Sequence, residues 1–134
     1  NLSAIQKILN FAARVIAGKR KFDRVRDVRV RLGWLDSPQL FQYQSLCLLH
    51  KIISSGQPES IAHQICSNRI HRDHTRPTRQ DSLLHLPPIR TEAGRRRFVY
   101  RSAHLMNSLP ERHLSGRRFK AALRAHLLAA RGDG

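Results

Sequence analysis

Arg95, Arg96 and Arg97 stand in a row within the stretch IRTEAGRRRFVYRSAHLMNSLP (residues 89–110), with Arg90 before them and Arg101 after. Guanidinium groups this dense do one kind of chemistry well. They grip phosphate, because the planar fork donates two parallel hydrogen bonds and stays charged at physiological pH. Thr91 offers a hydroxyl cap, Glu92 an acid for the first turn and Pro110 a stop, so the spacing predicts a helix of about four turns between them. Phe98, Ser102, Leu105 or Met106 and Leu109 recur at steps of three and four and form its inward face. Arg95, Arg96, Arg97 and Arg101 then crowd the positive end of the helix dipole, where they repel one another and a polyanion relieves the repulsion. Tyr100, off the Phe98 face, is the aromatic best placed to stack on an unpaired base. Trp34, Phe41, Tyr43, Phe98 and Phe119 fall on apolar faces and read as core.

The other reactive residues assemble less well. Cys47 with His50, and Cys66 with His71 and His74, have spacings that zinc accepts. Cys47, however, lies in the most apolar segment, where a free cysteine is a small core residue, and the interval between the two groups matches no compact zinc knuckle. No third group orients a His–Ser or His–Cys pair, and no nucleophile elbow is present. The 9 acids are scattered singly without an Asp-Asp pair, so a two-metal phosphoryl-transfer site has no ligands. These residues predict no catalytic site, no metal or cofactor, and no small-molecule substrate. Arg131-Gly132-Asp133 spells an adhesion tripeptide, read here as chance in an arginine-rich tail.

Composition narrows the partner. A chain of 134 residues, 40% of them apolar, suits one domain with a modest core. Twenty arginines and 5 lysines against 9 acids leave a net charge of +16, which favours a polyanion, RNA and/or DNA. No apolar run approaches the roughly 18 residues of a membrane span, so no membrane association is expected. Two cysteines without a disulfide framework fit a reducing, intracellular compartment, cytoplasm or nucleus. The chain opens at Asn1 with no leader and reads as a piece of something longer.

The elements that position these residues follow from periodicity. Leu2, Ile5, Leu9, Ala12 and Ile16 mark a first helix with Arg14 near its end, closed by Gly18 and followed by the basic turn Lys19-Arg20-Lys21. Asp23 caps a second helix that turns Val25, Val28 and Leu32 inward and Arg24, Arg26, Arg29 and Arg31 away, stopping at Gly33; Trp34 and Leu35 plug the core. Ser37 and Pro38 open a central helix that is apolar nearly all round and ends at Gly56. Pro58 starts a short helix containing Ile61 and Ile65. From Ser67 to Ser82 the apolar pattern gives way to an exposed basic loop, and Leu83, Leu84 and Leu86 before Pro87 and Pro88 make at most one short extended edge. A last helix begins near Ser115, with Phe119, Leu123 and Leu127 inward and Lys120 among its outward cations. The expectation is a mainly α, small single helical domain of about five helices with an irregular basic loop: a helical core over 1–66, the loop and extended segment over 67–90, and the arginine-rich and C-terminal helices over 91–130.

Five segments in this order carry a resemblance: IQKILNFAARVIAGKRKFDRV at the start, LGWL at Leu32 to Leu35, HKIISSGQPESI, HTRPTRQDSLLHLPPIRTEAGRRRFVYRSAHLMNSLP, and RFKAALRAHLL at the end. Their succession resembles the extreme C-terminal region of non-LTR (LINE-type) retrotransposon reverse transcriptases over nearly the whole chain. Met106 stands where that family usually has tryptophan, and Asp36 to Gln39 where it has a basic or polar helix start, which implies a divergent copy. The resemblance implies a segment beyond the thumb of an RNA-directed DNA polymerase whose catalytic aspartates and endonuclease lie elsewhere. Its implied role is non-catalytic, gripping template RNA, primer or target DNA beside the remainder of the reverse transcriptase. Arg14, Arg90, Arg95, Arg96, Arg97 and Lys120 lie in the matching motifs and are the expected backbone contacts; Lys19, Arg20, Lys21, Tyr100 and Arg101 complete the expected nucleic-acid-binding residues, Tyr100 as a base-stacking one. Two other readings stay open: a scaffold domain docking on the polymerase or on a second copy, and a small helix-turn-helix regulator built on the second and third helices. An exposed apolar patch favours docking; arginines converging on one face favour nucleic acid.

Overall fold

The computed structural model describes residues 2–65, 67, 80–110 and 115–130. Cys66, His71, His74, most of the expected basic loop and the Arg131-Gly132-Asp133 tripeptide lie outside the described residues. The protein is mainly helical: α1 (Leu2–Ala17), α2 (Arg26–Arg31), α3 (Ser37–Ser55), α4 (Glu59–Ala62), α5 (Glu92–Arg95), α6 (Phe98–Asn107) and α7 (Gly116–Ala129), with no β-strand among the described residues. Asn1–Tyr43 with Arg124–Gly134 form one compact unit and Gln44–Leu123 another, the boundaries falling within α3 and α7.

In the first unit α1 meets α2 through Ala13, fully buried against Val25 and Val28, with Trp34 half-buried on the same cluster. A methyl side chain at the crossing lets the helices approach closely. The expected face of α1 needs correction. Leu2, Ile5 and Ile16 are exposed, and the inward arc runs through Gln6, Leu9 and Ala13. Apolar residues cover most of the circumference of α1, so periodicity admits two faces. The arc that turns inward is the one whose Gln6 Oε1 can accept the Ser37 amide N–H, at 2.9 Å.

Both α1 and α2 close on a left-handed glycine, Gly18 at φ 61° and Gly33 at φ 62°. The Lys19 and Gly18 amides donate to Arg14 O (2.9 Å) and Val15 O (3.3 Å), and the Trp34 and Gly33 amides repeat this on Arg29 O and Val30 O (2.9 and 3.0 Å). Carbonyls that the helix leaves without partners are thereby satisfied, at a dihedral only glycine adopts cheaply.

Asp23 does not cap α2. Its carboxylate accepts the Arg20 amide at 2.8 Å and its own amide donates to Arg20 O at 3.1 Å, closing a tight turn inside the basic loop. The helix starts three residues later behind Val25, which offers no side-chain cap. Arg29 does not point away either: only 11% exposed, its guanidinium lies 2.6 Å from the Asp36 carboxylate. Asp36 also begins α3. Its carbonyl accepts the Leu40 amide at 2.7 Å, and the Gln39 Oε1 accepts the Asp36 amide at 3.2 Å, as in a capping box. Ser37, expected as the cap, lies one residue inside the helix. Gln39 Nε2 donates onward to the Leu127 carbonyl at 2.7 Å, and Arg124 donates to the Gly33 carbonyl at 2.9 Å. Asp36→Ala is therefore expected to destabilise the first unit by about 1–3 kcal/mol, through an uncompensated, largely buried Arg29. Urea unfolding beside Asp27→Ala, an exposed acid in the first turn of α2 worth less than about 1 kcal/mol, checks this.

In the second unit α3 buries Ser45, Leu46, Leu49 and Ile52, but Leu48 and Ile53 on its other side are about half exposed. Of the face predicted for the arginine helix, Ser102, Met106 and Leu109 are buried and Phe98 is half-buried, with Ala103 buried beside them, and Phe119 and Leu123 of α7 turn inward as the periodicity predicts. The Phe119 ring stacks on the His50 imidazole with centroids 4.2 Å apart and planes 16° from parallel. Among the described residues, Ser67 and Leu84 form the only extended pairing, an isolated antiparallel bridge. Asn107, in the last turn of α6, grips the same residue. Its Oδ1 accepts the Leu84 amide at 2.8 Å and its Nδ2 donates to the Leu84 carbonyl at 2.9 Å, so one side-chain amide stands in for a neighbouring strand. Asn107→Ala should cost about 1–3 kcal/mol and speed hydrogen exchange at the Leu84 amide, because two partly buried backbone groups lose their partners. Unchanged exchange there would show that the bridge alone holds the segment.

Candidate nucleic-acid interface

Thr91 caps α5 as the sequence predicts, its hydroxyl accepting the Gly94 amide at 3.1 Å. The helix then stops after one turn. Arg96 turns, and Arg97 takes extended dihedrals (φ −55°, ψ 140°) before α6 starts at Phe98. The single four-turn helix is corrected to two, with a corner at Arg96 and Arg97. Glycine inside the segment and the like-charged Arg97 and Arg101, four residues apart, both weaken a continuous helix there. Packing adds a reason: the Gly94 backbone approaches Ile89 so closely that a Cβ would overlap the Ile89 Cγ2 methyl.

The corner changes what the arginines do. They are spread around a bend instead of stacked on one helix dipole, and Arg90, Arg95, Arg96 and Arg97 are all exposed. Arg96 pairs with Glu92 at 3.4 Å, but both side chains are about two-thirds exposed or more, and such pairs hold weakly. Among the described residues no side-chain hydrogen bond or ion pair engages Arg90, Arg95 or Arg97. Arg101 is half-buried on α6.

Beside the corner is a cavity of about 470 Å³. Ile61 of α4, Pro87 and Ile89 of the extended segment, and Phe98 and Val99 of α6 give it apolar walls. Arg97, Tyr100, His85 and Gln64 bring the polar groups. Tyr100 is half-buried, its ring within 5° of parallel to the His104 imidazole and 6.4 Å from it. Although Tyr100 is off the helical face of Phe98, both border this cavity, which wraps the first turn of α6.

The remaining candidates fall elsewhere. Arg14, Lys19, Arg20 and Lys21 belong to the first unit, whereas Arg90, Arg95, Arg96, Arg97, Tyr100, Arg101 and Lys120 belong to the second. Arg14 is half-buried in the last turn of α1, where its charge suits the helix dipole, and its Nε is buried without a hydrogen-bond partner among the described residues. Lys19 donates to the Arg24 carbonyl at 2.9 Å and so braces its own loop. Arg20 is exposed, and the Lys21 ammonium sits 5.5 Å from the centroid of the Phe22 ring. Lys120 is exposed beside a second groove of about 580 Å³, which Lys51, His50 and Ser115 also line. Sequence reasoning passed over Lys51, although it was legible as the only lysine or arginine of α3. It also missed Asn107 and the cavity, whose walls come from three separate segments.

Among the described residues no helix is long and apolar enough to cross a membrane, and no three His, Cys, Asp or Glu side chains converge as metal ligands. Comparison with protein-family models, with curated proteins and with solved structures finds no match.

Proposed function

We propose that this chain is a non-catalytic nucleic-acid-binding segment from the C-terminal region of a non-LTR reverse transcriptase, gripping template RNA or target DNA by arginine–phosphate contacts. The observation that carries this reading is the corner itself: Arg90, Arg95, Arg96 and Arg97 are exposed within eight residues, beside the single acid Glu92. Guanidiniums spread round a bend can follow a curved backbone, each meeting a different phosphate. The net charge of +16 supports the same class of partner. The order of the five motifs supports the parent protein.

Anisotropy titrations of the chain with single-stranded RNA, an RNA–DNA hybrid and duplex DNA over a salt series test it. The expected result is binding whose log K falls steeply with log salt. A flat salt dependence, or no binding to any of the three at low salt, would overturn the reading.

A second reading has its own observation. On α1, Ile8, Phe11, Val15 and Ile16 are between 59% and 67% exposed and share one side of the helix. Such a stripe favours docking, on the rest of a polymerase or on a second copy. For the second-copy version, sedimentation should show a concentration-dependent dimer that Ile8→Gln with Phe11→Gln abolishes. The helix-turn-helix reading gains no comparable support, since α2 has only six residues.

A further inference from the structure

We propose that the cavity beside the arginine corner takes one unpaired nucleobase of a single strand, stacked on Tyr100, while Arg97 at its mouth holds the adjoining phosphate. The inference rests on the nucleic-acid reading above and names the part of the strand that this site recognises.

Four observations converge. The cavity, about 470 Å³, lies within the range of about 300–1,000 Å³ typical of small-ligand sites. Its walls of Ile61, Pro87, Ile89 and Phe98 are apolar, which suits the face of a base and offers nothing to a second charge. Tyr100 adds a half-buried aromatic ring, and stacking on such rings is how proteins hold splayed single-stranded bases of any sequence. Arg97 borders the same cavity, is exposed, and no hydrogen bond or ion pair engages its guanidinium among the described residues. A ligand that is flat and apolar at one end and anionic at the other fits both parts. Among the described residues no Asp or Glu lines the cavity, so a cationic ligand finds no partner there. Bases paired within a duplex do not fit, because their faces are already stacked on neighbours.

The test compares two strands of equal charge: a single-stranded oligonucleotide, and the same sugar–phosphate backbone with every base removed. Binding of the unmutated chain to each is measured by anisotropy at one low salt concentration. The expected result is about tenfold tighter binding of the strand with bases, within the span that one stacked base contributes. Tyr100→Leu should erase that preference, Tyr100→Phe should keep it, and Arg97→Ala should weaken both strands. Equal affinity of the unmutated chain for both strands overturns the base pocket and leaves the phosphate reading standing. No affinity for either strand overturns the phosphate reading, and the pocket with it. The first comparison needs no variant, so a misfolded Tyr100→Leu protein does not remove the test. Stronger displacement of the oligonucleotide by dodecyl phosphate than by adenosine monophosphate would assign the cavity to an alkyl chain and also overturn the proposal.

Discussion

Replacing Arg95, Arg96 and Arg97 together by alanine is expected to weaken nucleic-acid binding about a hundredfold at 0.1 M salt and to flatten the salt slope by about 2–3, since each phosphate contact contributes about 0.7–0.9 to that slope. The three side chains are exposed, and among the described residues the only ion pair lost is the solvent-exposed one from Arg96 to Glu92. Stability should therefore change little. Secondary structure is a separate matter. Alanine is a better helix former than arginine and carries no charge, so α5 and α6 are expected to drift toward the continuous helix that the arginines interrupt, visible as a gain in far-ultraviolet helical signal. Comparison with Lys19, Arg20 and Lys21 changed to alanine separates the two basic clusters. Lys19 already braces the Arg24 carbonyl, so the second triple variant should lose less affinity. If both variants lose equally, the binding is diffuse and the corner has no special part. If the corner variant keeps full affinity and slope, phosphate binding at this site is refuted and the exposed face of α1 becomes the better guide to function.

Phe119→Ala should be the most damaging single change to the fold. The side chain is 2% exposed and stacked on His50, and deletion of a buried phenylalanine costs about 3–5 kcal/mol in transfer and cavity terms. Domains of ordinary size hold only about 5–15 kcal/mol in total. The second unit has a modest core, so much of its margin should vanish, with a urea midpoint well below that of the unmutated chain. Phe22→Ala is the control. At 89% exposure that ring packs in no core and meets only the exposed Lys21 ammonium, so the change should stay within about 0.5 kcal/mol. Similar losses in the two variants would mean that Phe119 is not anchoring a core.

Particular residues show how much of the fold and site is legible in the sequence. Glycine stops at Gly18 and Gly33 could be read because a positive φ has so few other tenants. The Thr91 cap, the Pro110 stop and the inward faces of α6 and α7 follow from local rules that need no partner. The break at Arg96 and Arg97 was hidden, since arginine is a good helix former and the three-four spacing runs straight through it. The close approach of Ile89 to the Gly94 backbone beside the corner is likewise something no periodicity encodes. The cap of α3 was placed one residue late. Ser37 is the better-known cap type, but Asp36 is the residue that Arg29 and Gln39 can both reach. The face of α1 was ambiguous for the opposite reason, an excess of apolar signal. As for the site, the triple arginine was evident in the sequence, whereas the cavity depends on α4, the extended segment and α6 meeting across more than thirty residues of chain.

The exposed stripe on α1 gives salt two opposite effects on one molecule. At low ionic strength a net charge of +16 keeps copies apart and holds polyanions close. Raising salt shortens the screening length from about 10 Å at 0.1 M to about 3 Å at 1 M, which strips nucleic acid from the arginines and also removes the repulsion between copies. Ile8, Phe11 and Val15 then have no electrostatic barrier against a neighbour's apolar face, and sulfate, which strengthens apolar burial, sharpens the effect. The same wash that frees the protein of bound nucleic acid is thus the condition under which it should begin to precipitate, and chloride at moderate concentration is the gentler eluent.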